Sequence, residues 1–446
     1  MKKVKRALPN YVILSVALVS VFLLAACSIS GQEKTSSPNT LIYANLSGSS
    51  LDREAINEFN RTHEDVQIEV RDYLDENGTG PKTKLLMEIA TGKGPDIIDM
   101  GRTSDASTTS LPYKRMVQAG YLEDLWPYID RDPELGRGAV LGPPLKAAEI
   151  DGGLYLAFSH VRINTLVGAE SIVGDRKSWT LGELREAFAS MPEGSEVLDF
   201  GREEAFIYIS CMCLDSYVDW ETGQCYFDSE SFRALLEFVN SFPAKSALDG
   251  IDPTNYDALM EVNREKSRRL YDGRQMLVQS TIGRLQEIQL FDSMFGGTAS
   301  FVGYPVEDGS VGSCFYIYGN RLAMSSTCRD KEAAWDFLRQ MFLPKGSGED
   351  SIPINRSEYE RSKKCDVSET VSYSFGPEHV IHAATEEERQ RYEDLVNSIN
   401  KIELCDKAVF DIVKETASPY FAGDRSLDDT VDLIQRRVTL YVNEQR

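Results

Sequence analysis

Apolar and polar positions alternate in regular blocks between positions 41 and 100. A short apolar run at 41–44, a period-two alternation at 66–70 and the segment 94–100 predict three short strands. Between them, apolar residues recur at helical spacing around 51–59 and 85–89 and predict two helices. The order strand, helix, strand, helix, strand predicts a parallel sheet covered by helices on both faces, which is an α/β fold.

Signals for helix starts recur later in the chain. Thr180 and Glu183 have the spacing of a capping box, and Trp179 before them can pack on the same helix. That assigns Trp179 to the structure and not to a ligand. Similar spacings at 385–388 and 426–429 predict the starts of two more helices.

The eight cysteines do not define a disulfide framework. With Cys27 set aside the count is odd, so at least one thiol is unpaired, and nothing requires any pair to be oxidised. A bridge from Cys211 or Cys213 to Cys225 is the most favoured, because a hairpin predicted at 217–227 folds the chain back between them. A Cys-x-Cys zinc site would need a second Cys/His pair nearby, and the sequence has none.

Catalytic and metal-binding signatures are missing from the sequence. Neither Gly-x-Ser-x-Gly nor His-Glu-x-x-His occurs. His379 and His382 could meet on one helix, but no third ligand is close to them in the sequence, and two solvated histidines are the commoner case. No metal and no cofactor are therefore predicted, and a binding protein is favoured over an enzyme.

The first forty residues have the layout of a targeting segment. A basic start precedes an apolar run at 11–24, which is short for a membrane-spanning helix. The run ends in Leu24-Ala25-Ala26-Cys27, which resembles the lipobox of bacterial lipoproteins. The resemblance implies a signal peptide at 1–26, cleavage before Cys27, and diacylation of its sulfur. An ordinary signal peptide and an uncleaved anchor are the alternatives.

The residues after the lipobox are polar and rich in Ser, Gly and Pro. They predict a flexible tether at 27–40. The working part of the chain is therefore expected outside the cell, lipid-anchored at the extracellular face of the bacterial cell membrane.

The chain as a whole is long and acidic. Its 70 acidic residues outnumber 48 basic ones, giving a formal net charge of −22. A surface of this sign repels nucleic acid and anionic headgroups, so no nucleic-acid partner is predicted. The chain is longer than a domain with a single hydrophobic core usually is, and this length suggests two lobes or more.

Several short segments, taken in order, resemble the solute-binding lipoproteins of carbohydrate ABC importers (bacterial extracellular solute-binding protein family 1). The segment 94–98, Gly-Pro-Asp-Ile-Ile, is similar to that family's G-x-x-P-D-hydrophobic signature. The other similar segments are 55–60, 119–125, 179–180, 331–338 and 351–355. Two features depart from the family. The segment 153–158 lacks the proline that is usual there, and the cysteines at 211–225 are not a general feature of the family.

The resemblance implies a type II periplasmic-binding-protein-like fold with a ligand cleft between two lobes. It places three hinge crossings near 155–161, 301–305 and 352–355. Lobe 1 would comprise 41–155 plus 305–351, and lobe 2 would comprise 156–304 plus 352–446. The expected partners are a carbohydrate ligand, the transmembrane subunits of an ABC permease, and the membrane through lipidated Cys27. The protein is expected to be a monomer.

Ligand residues are nominated from the ends of strands and from the crossings, where open α/β sheets form crevices. The predicted ligand-binding residues are Asn45, Ser47, Asp99, Arg102, Tyr155, Ser280, Thr281, Tyr304 and Tyr316. Tyrosine can stack on the apolar face of a sugar ring, and the polar groups can pair with hydroxyls. The alternative for each tyrosine is core packing, and the alternative for Asp99 is capping of the turn that follows it.

Two other function classes stay open from the sequence. One is a solute-binding protein for a peptide, a polyamine or iron. The other is a secreted lipoprotein enzyme acting on glycans. The sugar and its chain length are set by the geometry of the cleft and are not read from the sequence.

Overall fold

A computed structural model describes residues 39–46, 50–73, 82–101, 111–306, 310–344, 350–364, 368–373, 376–403 and 406–444. The predicted signal peptide, Cys27 and most of the predicted tether lie outside the described residues, as do Ser47 and Arg102. Within the described residues, no helix is both long enough and apolar enough to cross a membrane.

The first sheet is built from the N-terminal strands and one later strand. Its elements and the helices between them are β1 (Asn39–Asn45), α1 (Ser50–Thr62), β2 (Val66–Asp72), α2 (Lys82–Ala90), β3 (Ile97–Asp99) and β8 (Leu322–Met324). The strand order is β2-β1-β3-β8, with β1 parallel to β2 and β3, and with β8 antiparallel to β3. The predicted strand–helix order and parallel sheet are confirmed.

Four more helices complete the first lobe, by which we mean the first sheet and the helices packed on it. They are α3 (Tyr113–Gln118), α4 (Trp126–Arg131), α5 (Gly142–Ala148) and α13 (Lys331–Leu338). Their buried side chains, such as Met116, Ile129 and Leu145, share one apolar core with strands β1 and β3.

The second sheet is organised around one long strand, β4 (His160–Ala169). Strand β5 (Leu277–Ile282) pairs along one edge of β4. Strand β9 (Ile352–Pro353) pairs with the start of β4 on that same edge. Along the other edge β4 pairs in turn with β7 (Cys314–Tyr318) and β6 (Ala299–Phe301). All of these pairings are antiparallel, so the two sheets differ in topology.

The second lobe comprises this sheet with the helices that cover it. These helices are α6 (Glu170–Val173), α7 (Leu181–Ala189), α8 (Arg202–Ala205), a π-helix (Phe206–Ser210), α9 (Cys211–Cys213), a 3₁₀-helix (Leu214–Tyr217), α10 (Glu230–Asn240), α11 (Tyr256–Tyr271), α12 (Gln286–Phe295), α16 (Lys407–Ala422) and α17 (Leu427–Glu444). The remaining elements are α14 (Arg356–Ser362), the hairpin β10 (Glu369–Ser372) and β11 (Glu378–Ile381), and α15 (Glu386–Ser398). Helix α15 packs on both α5 and α12 and so contacts both lobes.

The predicted helix starts are confirmed in detail. Thr180 caps α7 and forms a reciprocal capping box with Glu183, and Thr385 does the same at α15. Trp179 is fully buried and donates its indole N–H to the Gly303 carbonyl oxygen at 2.8 Å. Its predicted structural role is therefore confirmed.

The chain passes between the sheets at three places. After Ala157, which bridges Leu322 of the first sheet, it enters β4. It returns at 319–321, between β7 and β8, and the third passage lies at 352–355, where β9 pairs with β4 and Asn355 bridges Val140. The return was predicted at 301–305. It falls later because β7 is still a strand of the second sheet.

Two local predictions are wrong. His379 lies on β11 and not on a helix, because residues 369–372 pair with it in an antiparallel hairpin. His382 follows the same strand. Cys225 is a free, buried cysteine, so neither predicted bridge to it is formed. Its backbone pairs with Val218 in the expected hairpin, while its thiol contacts Thr439 of α17.

Candidate ligand site between the lobes

Asp99 is the last residue of β3, an internal strand of the first sheet, and it lies at the strand end that faces the second lobe. Its side chain is 1% exposed. One carboxylate oxygen accepts the Gly101 N–H at 2.8 Å, and the other accepts the Leu46 N–H at 3.4 Å. Asp99 therefore holds together the turns that follow β3 and β1, as the capping alternative expects.

Arg321, on the second passage between the sheets, is the cation opposite Asp99. Its side chain is 3% exposed, and its Nε donates to the Gly101 carbonyl oxygen at 2.6 Å. Burial lowers the pKa of the guanidinium to about 10, and the charges of Asp99 and Glu403 oppose that shift. A buried arginine therefore interacts electrostatically with one carboxylate from each lobe.

Glu403 belongs to an extended segment that runs beside β7. Its backbone N–H donates to the Phe315 carbonyl oxygen at 2.6 Å. Burial raises the pKa of the carboxyl group to about 7, while the Asn164 amide and the charge of Arg321 act in the opposite direction. This carboxyl group therefore titrates near neutral pH.

Asn164, in the middle of β4, connects this charged group to the second sheet. Its amide nitrogen donates to Glu403 at 3.4 Å, and its oxygen accepts from Gln279 at 2.9 Å and from the Tyr304 hydroxyl at 3.0 Å. Tyr304 is fully buried in the second lobe, and burial raises the pKa of its hydroxyl. The hydroxyl group of Tyr304 therefore contacts Asn164 of the site, while its ring packs in the hydrophobic core of the second lobe.

Tyr316 and Thr281 flank β4 on the same face of the second sheet. Tyr316 pairs with Arg162 in register, and Thr281 pairs with Asn164. Directly paired residues of antiparallel strands share a face, so the structure brings these two predicted residues together. Tyr318 lies two residues beyond Tyr316, is 40% exposed, and has its ring 6.0 Å from the Arg162 guanidinium.

The other predicted residues are placed apart from this group. Ser280 pairs with Thr165, one position from Thr281, so its side chain is on the opposite face of the sheet. Asn45 donates to Asp72 at 2.6 Å at the ends of β1 and β2. The ring of Tyr155 folds over Gly153 in the first lobe.

A cavity of about 240 Å³ opens in the second lobe beside the same segment. Lys401, two residues before Glu403, lines it together with Met212, Tyr217 and Tyr226. The Lys401 ammonium donates to the Met212 carbonyl oxygen at 2.8 Å. In the described ranges, no cluster of three or more potential metal ligands is present.

The sequence prediction missed Arg321, Glu403, Asn164 and Gln279. The signal available for two of them was a charged residue among apolar neighbours, as in Ile402-Glu403-Leu404 and in Arg321 before Leu322. A charge at such a position is usually buried with a partner. Which partner it has depends on the tertiary fold.

The fold is shared with solved sugar-binding proteins. The structure of the sugar-binding protein MalE from Xanthomonas citri matches with a TM-score of 0.55 at 13% identity, over 92% of this chain and 98% of that one. An ABC substrate-binding protein from Listeria monocytogenes, in complex with cycloalternan, matches with a TM-score of 0.51 at 15% identity, over 91% and 100% of the two chains.

These two matches define the architecture. The chain has the two-lobed fold of the MalE-type binding proteins, which confirms the predicted fold class. No protein-family model and no curated protein sequence matches the chain.

Proposed function

We propose that the protein is the lipid-anchored, extracellular solute-binding component of an ABC importer, and that it binds a sugar or oligosaccharide between its lobes. The observation that carries the proposal is the combination of a MalE-type fold with polar and aromatic groups from both lobes at one boundary. The neighbours with this fold are binding proteins, one of them described with a bound cyclic oligosaccharide.

The side chains at the boundary suit a hydroxyl-rich ligand. Tyr316 and Tyr318 offer ring faces for the apolar side of a pyranose, and the amides of Asn164 and Gln279 can exchange hydrogen bonds with hydroxyls. The positive charge of Arg321 is already balanced by nearby carboxylates. A neutral sugar therefore fits the site better than an anionic one.

Ser47 and Arg102 remain proposed ligand residues of the first lobe. They follow Asn45 and Asp99, the last residues of β1 and β3, in the sequence. Ligand contacts from both lobes would stabilise the arrangement in which the lobes are close, and a permease can sense that arrangement. Lipidation of Cys27 would keep the monomer near the permease.

A thermal-shift screen of the mature protein against mono- and oligosaccharides tests the proposal. One class of sugar should raise the melting temperature, because a ligand that binds only the folded state stabilises it. Calorimetry with that sugar should show roughly tenfold weaker binding for Tyr316→Ala, in line with the loss of one aromatic contact.

Tyr256→Ala is the matched control for that variant. Tyr256 is 66% exposed and is the first residue of α11 in the second lobe. Its removal should leave sugar affinity unchanged. If no sugar stabilises the protein, the proposal fails, and hydrolysis of an oligosaccharide by the purified protein would favour the enzyme alternative.

A further inference from the structure

Arg115, on α3 of the first lobe, reaches into the second lobe. Its guanidinium carbon lies 4.8 Å from the ring centroid of Trp220 and 4.6 Å from that of Tyr441. Its Nη2 atom lies 3.2 Å from a carboxylate oxygen of Asp406. All three partners belong to the second lobe, so one side chain makes a cation–π contact with two rings and an ion pair across the lobe boundary. We call these four residues the interlobe clamp.

The acceptor in the clamp is held in place by its own lobe. One oxygen of Asp406 caps α16 by accepting the N–H groups of Ala408 and Val409, each at 3.0 Å. The Tyr441 hydroxyl donates to the same oxygen at 3.3 Å. The other oxygen pairs with Arg115. A carboxylate fixed in this way loses little conformational freedom when the ion pair forms.

Burial distinguishes this ion pair from the surface pairs of the molecule. The side chains of Arg115 and Asp406 are 17% and 14% exposed. By contrast, the Arg131–Glu332 pair within the first lobe has side chains 53% and 71% exposed. Exposed pairs contribute little because water and salt screen them, whereas partly buried charges interact more strongly.

A second ion pair lies next to the clamp. Lys114, the neighbour of Arg115 on α3, pairs with Asp215 of the second lobe. The Trp220 indole N–H donates to the other oxygen of Asp215 at 3.4 Å. Trp220 thus belongs to both contacts, and two consecutive cations of α3 are held by the second lobe.

We propose that the interlobe clamp keeps the two lobes in contact when no ligand is bound, which makes Arg115 a positioning residue for ligand entry. All groups of the clamp belong to the protein, so the contact needs no ligand to form, and such a contact shifts the ligand-free population towards the closed arrangement. A ligand can then enter only when the clamp is open, which lowers the association rate constant. The clamp also favours the closed arrangement after binding, which lowers the dissociation rate constant. The part of this inference that concerns ligand kinetics rests on the proposed function, whereas the part that concerns lobe closure does not.

Small-angle X-ray scattering of the ligand-free mature protein tests lobe closure directly. Arg115→Ala should have a larger radius of gyration than the unmodified protein, because the lobes separate. Arg137→Ala is the matched control, since Arg137 makes the same two kinds of contact inside the first lobe: its guanidinium lies 4.2 Å from the Trp126 ring and its Nε lies 2.8 Å from Asp130. It should leave the radius unchanged.

A second variant separates the clamp from a loss of local folding. Asp406→Asn keeps a residue that caps helices well but removes the charge that pairs with Arg115. It should expand the ligand-free protein as Arg115→Ala does, with an unchanged circular dichroism spectrum. An unchanged radius for both variants, or equal expansion in Arg137→Ala, would overturn the proposal.

Stopped-flow binding of the sugar found by the thermal-shift screen then measures ligand entry. Both the association and the dissociation rate constants should rise about tenfold in Arg115→Ala, the change that corresponds to one such contact. Equal rates in the two proteins would overturn the role in ligand entry. If no sugar binds to either protein, the proposed function fails, while the scattering result still decides whether the clamp holds the lobes together.

Discussion

The indole nitrogen of Trp179 and the carbonyl oxygen of Gly303 lie 2.8 Å apart and join the start of α7 to the loop after β6. Gly303 has a φ of +74°, and a Cβ atom there would lie 2.1 Å from the carbonyl carbon of Gly312. Two glycines therefore allow these backbone segments to approach closely.

Gly303→Ala should consequently destabilise the protein. We expect the free energy of unfolding to fall by about 3 kcal/mol, because overpacking and a positive φ both penalise the methyl group. Urea denaturation measures the change. Gly250→Ala is the control: Gly250 has a φ of +85° but no atom within 4 Å of the added methyl group, so its loss should be about 1 kcal/mol. Equal losses would contradict the steric explanation.

Asp99→Ala should lower stability more than ligand affinity. The substitution removes the acceptor of the Gly101 and Leu46 N–H groups and one of the carboxylates beside buried Arg321. A buried N–H group that loses its acceptor costs about 1–3 kcal/mol, and the loss of a negative charge that acts on buried Arg321 adds to that cost. Thermal melting of the ligand-free variant measures it.

Asp99→Asn is the milder comparison, because an amide oxygen can still accept the turn N–H. We expect its melting temperature to lie between those of the alanine variant and the unmodified protein. An unchanged melting temperature together with weakened sugar binding would instead make Asp99 a ligand residue, as the sequence first suggested.

Glu403 should make stability depend on pH. Its folded pKa of about 7 lies above the ordinary value of 4.5, so the folded state holds a proton that the unfolded state has already lost. Stability is therefore greatest below pH 4.5 as far as this group is concerned, and it falls as pH rises to 7. The loss from this group is up to about 3 kcal/mol.

Glu403→Gln isolates this contribution from the other titrating groups. The variant cannot ionise, so its stability relative to the unmodified protein should increase between pH 5 and pH 8. Urea denaturation at both pH values gives the difference. A constant difference across the range would show that Glu403 is ionised in the folded protein throughout.

Cys27→Ala should leave an unprocessed precursor without lipid, because no other residue of the predicted lipobox can carry the thioether. Detergent partitioning of whole-cell extracts, with a gel to show chain length, tests the expectation. Ser28→Ala, at the next position, should be processed normally. A shortened Cys27→Ala chain in the detergent phase would rule out lipidation at this cysteine.

The local pattern of the sequence predicts the elements well where local forces decide them. Strands β1 and β2 and helices α7 and α15 are recognisable because apolar spacing and capping residues act over a few positions. His379 shows the limit of this approach. Four residues around it became a strand because a partner strand nine residues earlier was available, which the residues themselves do not indicate.

The candidate site was predicted less completely than the fold. Strand ends indicated Asp99, which remains a prediction as a ligand residue, and the charged groups that act with it on the site, Arg321 and Glu403, are far away in the sequence. Ser280 and Thr281 were nominated together, yet the period of two in a strand separates adjacent side chains onto opposite faces. To predict which face of the sheet a side chain lies on, one must know where the strand begins and ends and which strand it pairs with.

Strand β4 has a mechanical consequence. It begins at the first passage between the lobes, carries Asn164 in its middle, and is hydrogen-bonded along both edges. A strand that is hydrogen-bonded along both edges resists bending. We therefore expect a small rotation at His160 to move the second lobe as a rigid unit, with the spacing of the site residues on β4 unchanged. The amide protons of β4 should be among the slowest to exchange with deuterated solvent, and they should remain so while the lobes move.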